Sequence, residues 1–265
     1  MEQVPQVDIH THVLPGLDDG ARDEREALAM LRIAVEDGTS VLVATPHARR
    51  CTAAAARTTA DRLRELLARE AIPLALLVGM EEQLLPDLPE RLARGDALSL
   101  GDTPWLLVEL PDWTIWPEDL VERLRAIRAL GFWPILAHVE RYVPVQQRPE
   151  RVLEAIEAGA LVQVNADSLF GHHGPAAQRV AALLIRARAV SVLASDAHKP
   201  DHRAPRLRAA FERVSRLAGE DVAEELRRTA QAIVSGALVH PPQPDPALLQ
   251  TSPTLLERLR SWVGV

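Results

Sequence analysis

Seven short apolar runs recur along the chain, amphipathic stretches separate them, and nearly every run ends in a histidine or an acid. The runs cover residues 7–14, 40–45, 73–79, 105–110, 134–138, 161–165 and 190–195. Helical patterns cover 23–37, 54–71, 117–130, 149–158, 175–187, 206–217 and 221–234. Pro117 suits a first helical turn, and Gly38 and Gly131 suit helix ends. Strands that alternate with helices build a parallel sheet. No break in the pattern separates two domains, so the predicted fold is α/β, with residues 1–240 closing into one barrel. A proline-rich link at 241–246 opens the tail, 241–265, which is expected to end in a short amphipathic helix over 255–263. That helix packs either on its own barrel or at a subunit contact, which would make the chain a homo-oligomer.

Composition excludes several classes. The chain is 47% hydrophobic and 25% charged, as expected of a protein that buries a large core. Its net charge of -7 argues against nucleic-acid and membrane-surface binding, whose footprint is basic. No stretch approaches the roughly 20 apolar residues of a membrane span. Residues 1–6 lack the pattern of a signal peptide. Cys51 is the only cysteine, which excludes an internal disulfide framework and a cysteine-rich zinc site. The expected location is the cytoplasm.

Reactive groups of parallel barrels collect at the C-terminal ends of the strands. The first run carries Asp8-Ile9-His10-Thr11-His12, and residues two apart on a strand share a face, so His10 and His12 can grip one metal. Asp18-Asp19-Gly20 then offers a carboxylate on a turn. Later runs end at His47, Glu81, Glu109, His138 and the pair Asp196 and His198. A lone histidine or acid at a strand end is ordinary; the repetition is what points to a metal cluster. Four buried carboxylates would repel one another unless cations sat among them. Mixed imidazole and carboxylate donors favour Mn, Fe or Zn over Mg or Ca.

Other features stay open at this level. Trp113 and Trp116, on the loop after Glu109, would stack on an aromatic substrate ring or cap the barrel core. Asn165, Ser168, His172 and His173 read as supporting or solvent-facing groups rather than ligands, and His240 has no assigned role. Cys51 and Arg57 match the C-x5-R pattern of cysteine-dependent tyrosine phosphatases. That chemistry needs a phosphate-wrapping loop, usually with glycine, whereas four alanines fill residues 53–56.

The stretches DIHTHVLPGLDDG, TPH, GMEEQLLPDL, LVEL, AHVERY, VQVNADSLFG and ASDAHKPDHR run in order from residue 8 to 203. Together they resemble the PHP (polymerase and histidinol phosphatase) superfamily. Within it they are most similar to the CpsB/YwqE group of bacterial protein-tyrosine phosphatases, encoded with capsule and exopolysaccharide genes. The resemblance implies a distorted (β/α)7 barrel of the PHP type and three divalent metal ions, with manganese expected. It implies His10, His12, Glu81 and Asp196 around the first ion, Glu81, Glu109 and His138 around the second, and Asp19, His47 and His198 around the third. Arg141 and Arg203 would bind the phosphate, Arg203 with His202 before it where the family usually has glycine. The Asn-Pro of the family's final helix is not evident near 227–230.

The expected activity is hydrolysis of phosphotyrosine, a hydroxide held between metals attacking phosphorus in line. The expected partner is the phosphotyrosine-bearing C-terminal tail of a bacterial tyrosine kinase. Alternatives are a small-molecule phosphomonoesterase such as a histidinol-phosphate phosphatase, an amidohydrolase, and a non-enzymatic regulator of a kinase. The two-metal amidohydrolases often bridge their ions with a carbamylated lysine, and the only lysine here, Lys199, follows the last strand.

Overall fold

The computed structural model describes residues 5–249. Eight strands, β1 (Gln6–Thr11), β2 (Thr39–Ala44), β3 (Ala75–Val78), β4 (Glu81–Gln83), β5 (Trp105–Glu109), β6 (Trp133–Leu136), β7 (Leu161–Asn165) and β8 (Val192–Ala194), all pair in parallel. The helices between them are α1 (Glu24–Glu36), α2 (Ala53–Arg69), α3 (Leu88–Arg94), α4 (Leu120–Ala129), α5 (Val143–Gln147), α6 (Val152–Glu157) and α7 (Gly174–Arg186). After β8 come α8 (Arg208–Ala218), α9 (Glu220–Val234) and α10 (Pro246–Leu249).

The ladder has two pieces, β1-β2-β3 and β4-β5-β6-β7-β8. Isolated parallel bridges join them at both seams, His47 with Glu81 and Thr11 with Ala197. The continuous seven-stranded barrel expected from the sequence is therefore two parallel sheets that touch at both edges. The third apolar run, 73–79, yields β3, and beyond Gly79-Met80 the residues that follow it form β4. A Cβ on Gly79 would lie 2.8 Å from Leu100 Cδ2, so the bend needs glycine. Both seams fall at expected ligands, where the backbone leaves the ladder.

Residues alternate between two apolar clusters. Trp105 and Leu107 lie in an inner cluster with Leu161, Val192 and Ala194, while Leu106, Val108, Val162, Val164 and Leu193 pack outward under the helices. Continuing the inner rows with period 2 leads from Leu107 to Glu109, from Leu161 to Gln163 and Asn165, and from Ala194 to Asp196. The inner face is thus apolar along the strands and turns polar at their C-terminal ends. Ala230 and Ile233 of α9 join the inner cluster.

Capping is explicit for the first two helices. The side chains of Asp23 and Thr52 accept from the N–H groups of Glu26 and Ala55. α2 begins at Ala53, so Cys51 and Arg57 do not frame a phosphate loop. Arg57 pairs with Asp102 at 2.8 Å, and burial pushes the Cys51 thiol up to about 11. In the tail, Leu249 is buried in the large outer cluster, and the expected helix at 255–263 lies outside the described residues.

Candidate metal centre

The strand ends bring all nine expected ligands together. His10 and His12 are fully buried, and Glu81, Glu109, His138, Asp196 and His198 nearly so. Asp19 reaches in from its turn, half-exposed, 3.5 Å from His47 Nε2 and 3.8 Å from His198 Nε2. Four sets place one donor atom per residue within 4.8 Å of the others: His12, Asp19, His47 and His198; His10, Glu81 and His138; His10, His12 and Asp196; and His47, Glu81 and Glu109. Here His12 also approaches the Asp19 set, and Glu109 groups with His47 rather than His138.

One part of this cluster has the shape of a coordination shell. His10 Nε2 lies 3.2 Å from His12 Nε2, 3.4 Å from Glu81 Oε2 and 3.6 Å from Asp196 Oδ1. His12 Nε2 lies 3.5 Å from the same glutamate oxygen and 3.4 Å from the same aspartate oxygen. A tetrahedron with metal–ligand arms of about 2.1 Å has edges of about 3.4 Å.

Hydrogen bonds fix which way the imidazoles face. Gln163 Oε1 accepts from the backbone N–H of His138 at 2.9 Å, which identifies that atom as the oxygen. Nδ1 of His10, 3.2 Å from the same oxygen, must then donate. Gln163 Nε2 donates to Asn165 Oδ1, and Asn165 Nδ2 donates to Asp196 Oδ2, both at 2.7 Å. Nδ1 of His12 donates to Asp18 Oδ2 at 2.7 Å. With both Nδ1 hydrogens committed, neutral His10 and His12 present lone pairs at Nε2. Each of the two nitrogens lies 3.4–3.6 Å from both carboxylate oxygens, a spacing that a shared cation would bridge.

The electrostatics agree. Burial alone would raise Glu81, but the charge of His10 and the bonds of His10, His138 and His47 hold it well below the usual range. Burial is likewise outweighed at Asp196 by His10, His12 and Arg203. His12 rises against its burial to about 9 through Asp18 and Asp196, and His47 to about 10 through Glu109 and Glu81. Burial and the positive charge of His12 push His198 down to about 3. Protons on some imidazoles thus balance the carboxylates, as cations would.

Two arginines border the cluster. Arg141 Nη1 donates to Asp196 Oδ2 at 3.0 Å, and Arg203 Nη2 donates to the same oxygen at 2.6 Å. Arg203, Asp196 and His138 all have positive φ, at 54°, 51° and 36°. Non-glycine residues held there store strain, and three of the six such residues among those described lie at the cluster, the others being Ala71, Asp102 and Arg188.

The two tryptophans part company. Trp113 stacks on His138, with centroids 5.0 Å apart and planes at 13°, and the Arg141 guanidinium lies 3.9 Å from its ring centre. Trp116 packs in the core at 8% exposure and donates to Glu154 Oε2 at 2.8 Å. Of the two roles open to Trp116, this placement favours packing, with the exposed Glu154 accepting its indole N–H.

Sequence reasoning missed Asp18, Gln163 and Tyr142. Asp18 binds His12 and also accepts the backbone N–H groups of Gly20 and His47. Tyr142 accepts the Leu110 N–H at 2.8 Å and fixes the end of β5. Gln163 could have been found, because a polar residue between apolar neighbours on a two-sided buried strand needs a partner.

Known proteins with similar sequence and structure bear on this site. The family described as "Capsular polysaccharide synthesis, CpsB/CapC" matches residues 6–234. The chain is 31% identical over 244 residues to the tyrosine-protein phosphatase YwqE of Bacillus subtilis, covering 90% of this chain and 96% of that one. It is 28% identical over 232 residues to the tyrosine-protein phosphatase CpsB of Streptococcus pneumoniae, covering 83% and 94%. A solved chain from the crystal structures of those two proteins, described as unique metal-dependent tyrosine phosphatases, superposes with a TM-score of 0.86 at 31% identity. That match covers 90% of this chain and 99% of the other.

Proposed function

The chain belongs to the CpsB/CapC family of capsular polysaccharide synthesis, and from that premise we propose how its site works: it is a metal-dependent tyrosine phosphatase whose nine buried and half-buried donors hold the ions. The observation that carries the reading is the convergence of His10 and His12 Nε2 with Glu81 and Asp196 oxygens at 3.2–3.6 Å.

We assign His10, His12, Glu81 and Asp196 to one ion, Glu81, Glu109 and His138 to a second, and Asp19, His47 and His198 to a third. Manganese is the expected occupant. Bound divalent ions supply a water of lowered pKa and positive charge for phosphoryl oxygens. Arg141 and Arg203 meet the phosphoryl group, because a planar guanidinium binds two oxygens at once. Asp196 orients both arginines, and Trp113 holds Arg141 from its ring side. The substrate is a phosphotyrosine protein, with the tail of a bacterial tyrosine kinase of polysaccharide export as the proposed target in the cytoplasm.

Metal analysis of the purified protein, joined to turnover of a phosphotyrosine peptide before and after chelation, tests the reading. Chelation should abolish turnover, added manganese should restore it, and Cys51→Ser should leave it intact. Faster turnover of histidinol phosphate than of the peptide would favour a small-molecule phosphatase.

A further inference from the structure

The turn after β7 carries a second set of buried polar groups, beside the cluster but outside it. Glu140 is fully buried, and its Oε1 accepts from Ser168 Oγ at 2.5 Å and from the Asn165 N–H at 3.0 Å. Ser168 Oγ lies 3.0 Å from Nδ1 of His173. A serine hydroxyl has one proton, and the short contact commits it to the carboxylate. Ser168 therefore accepts from His173, whose Nδ1 carries the hydrogen. In the neutral ring Nε2 is a bare lone pair, and it is buried without a hydrogen-bond partner among the described residues. Such an atom calls for an explanation.

Resting on the phosphatase reading above, we propose that His173 is the proton donor to the leaving oxygen of the phosphoryl substrate, with Ser168 and Glu140 holding its ring. Burial and then the positive charges of Arg141 and Arg203 keep the free imidazole neutral, with a pKa pushed down to about 4; His138 acts the same way and Asp196 opposes them. A phosphoryl dianion between those arginines reverses the field. The ring then gains a proton, and its Nδ1–H keeps the bond to Ser168 that Glu140 anchors. Neighbouring His172 is exposed and pairs with Asp167 at 3.3 Å, so it does not compete for Ser168.

In the reaction, a water oxygen bonds to phosphorus while the bond from phosphorus to the aryl oxygen breaks. The electron pair of that bond goes to the aryl oxygen, which takes the Nε2 proton and leaves as the phenol. The water keeps one proton in the product phosphate and releases the other to solvent, from which His173 is reprotonated. A tyrosine phenol, with a pKa of about 10, departs better with such help.

The test compares the manganese-loaded full chain with His173→Gln on p-nitrophenyl phosphate, phenyl phosphate and phosphotyrosine, at equal metal content. The variant should lose little kcat with p-nitrophenyl phosphate, whose phenolate leaves unaided, and about a hundredfold with phosphotyrosine. Ser168→Ala should show the same trend with smaller amplitude, and it serves as the test if His173→Gln does not fold. A loss that is equal across the series, or no loss, overturns the inference while leaving the phosphatase reading intact. A wild-type chain inactive on all three esters overturns both.

Discussion

Nε2 of His10 and Nε2 of His12 face each other at 3.2 Å inside the protein, and as neutral rings with their Nδ1 hydrogens held neither can donate to the other. The pair is at rest only with a positive charge between the rings. Replacing His12 with glutamine should lower the bound metal by at least one equivalent and turnover by more than about a hundredfold, an order suited to losing charge stabilisation at the reacting group. Elemental analysis of the dialysed variant checks this; full metal content would contradict it.

Gln163 fixes His10 without touching an ion. Gln163→Met should weaken metal binding by about 10–100-fold, as loss of an outer partner of a ligating histidine does. Competition with a chelator of known affinity measures the change, and unaltered affinity would remove Gln163 from this role.

Without metal, stability should depend on pH in a particular sense. The folded state raises His12 from 6.5 to about 9 and His47 from 6.5 to about 10. Their contribution is complete below pH 6.5 and is lost as pH climbs through those folded values. His198, lowered to about 3, destabilises the fold only below 6.5, and the stability that the lowered carboxylates contribute is constant over this range and is lost only in acid. The chelated protein should therefore melt at its highest temperature near neutrality and progressively lower towards pH 10. A rising melting temperature over that range would refute the assignment.

The same protons must leave when ions enter. Titrating manganese into the chelated protein at pH 7.5 should release protons. Calorimetry in buffers of different ionisation enthalpy counts them, and a heat independent of buffer would disagree.

Trp113 and Trp116 should separate cleanly. Trp116→Ala should cost about 3–5 kcal/mol of stability, the order for deleting a buried tryptophan. Trp113→Ala should chiefly lower turnover, because Arg141 loses the ring beneath it. Denaturant melts beside phosphotyrosine turnover distinguish the two.

The sequence made β7 and the strand-end ligands legible because period 2 and parallel topology leave little freedom. Leu161–Asn165 matches its expected bounds, and α1 lies between the expected Asp23 and Asp37. Glu81 was found as a strand-end acid, but that it opens β4 was not, because the glycine before it is set by close approach to the distant Leu100, which no local pattern contains. α3 escaped notice although Pro89 and Gly95 mark its start and end; at seven residues it shows too few turns for a periodicity. Between the adjacent acids, Asp19 drew attention because of the resemblance, while the buried Asp18 became visible only once the turn placed it under His12.

The seam between Thr11 and Ala197 has a consequence for biogenesis. Along the chain His10 and His12 are made long before Asp196 and His198. A chain that stops before β8 lacks Asp196, so the shell that His10 and His12 share with it cannot close until that strand has been made. A product truncated ahead of Asp196 should therefore hold less metal than the whole chain.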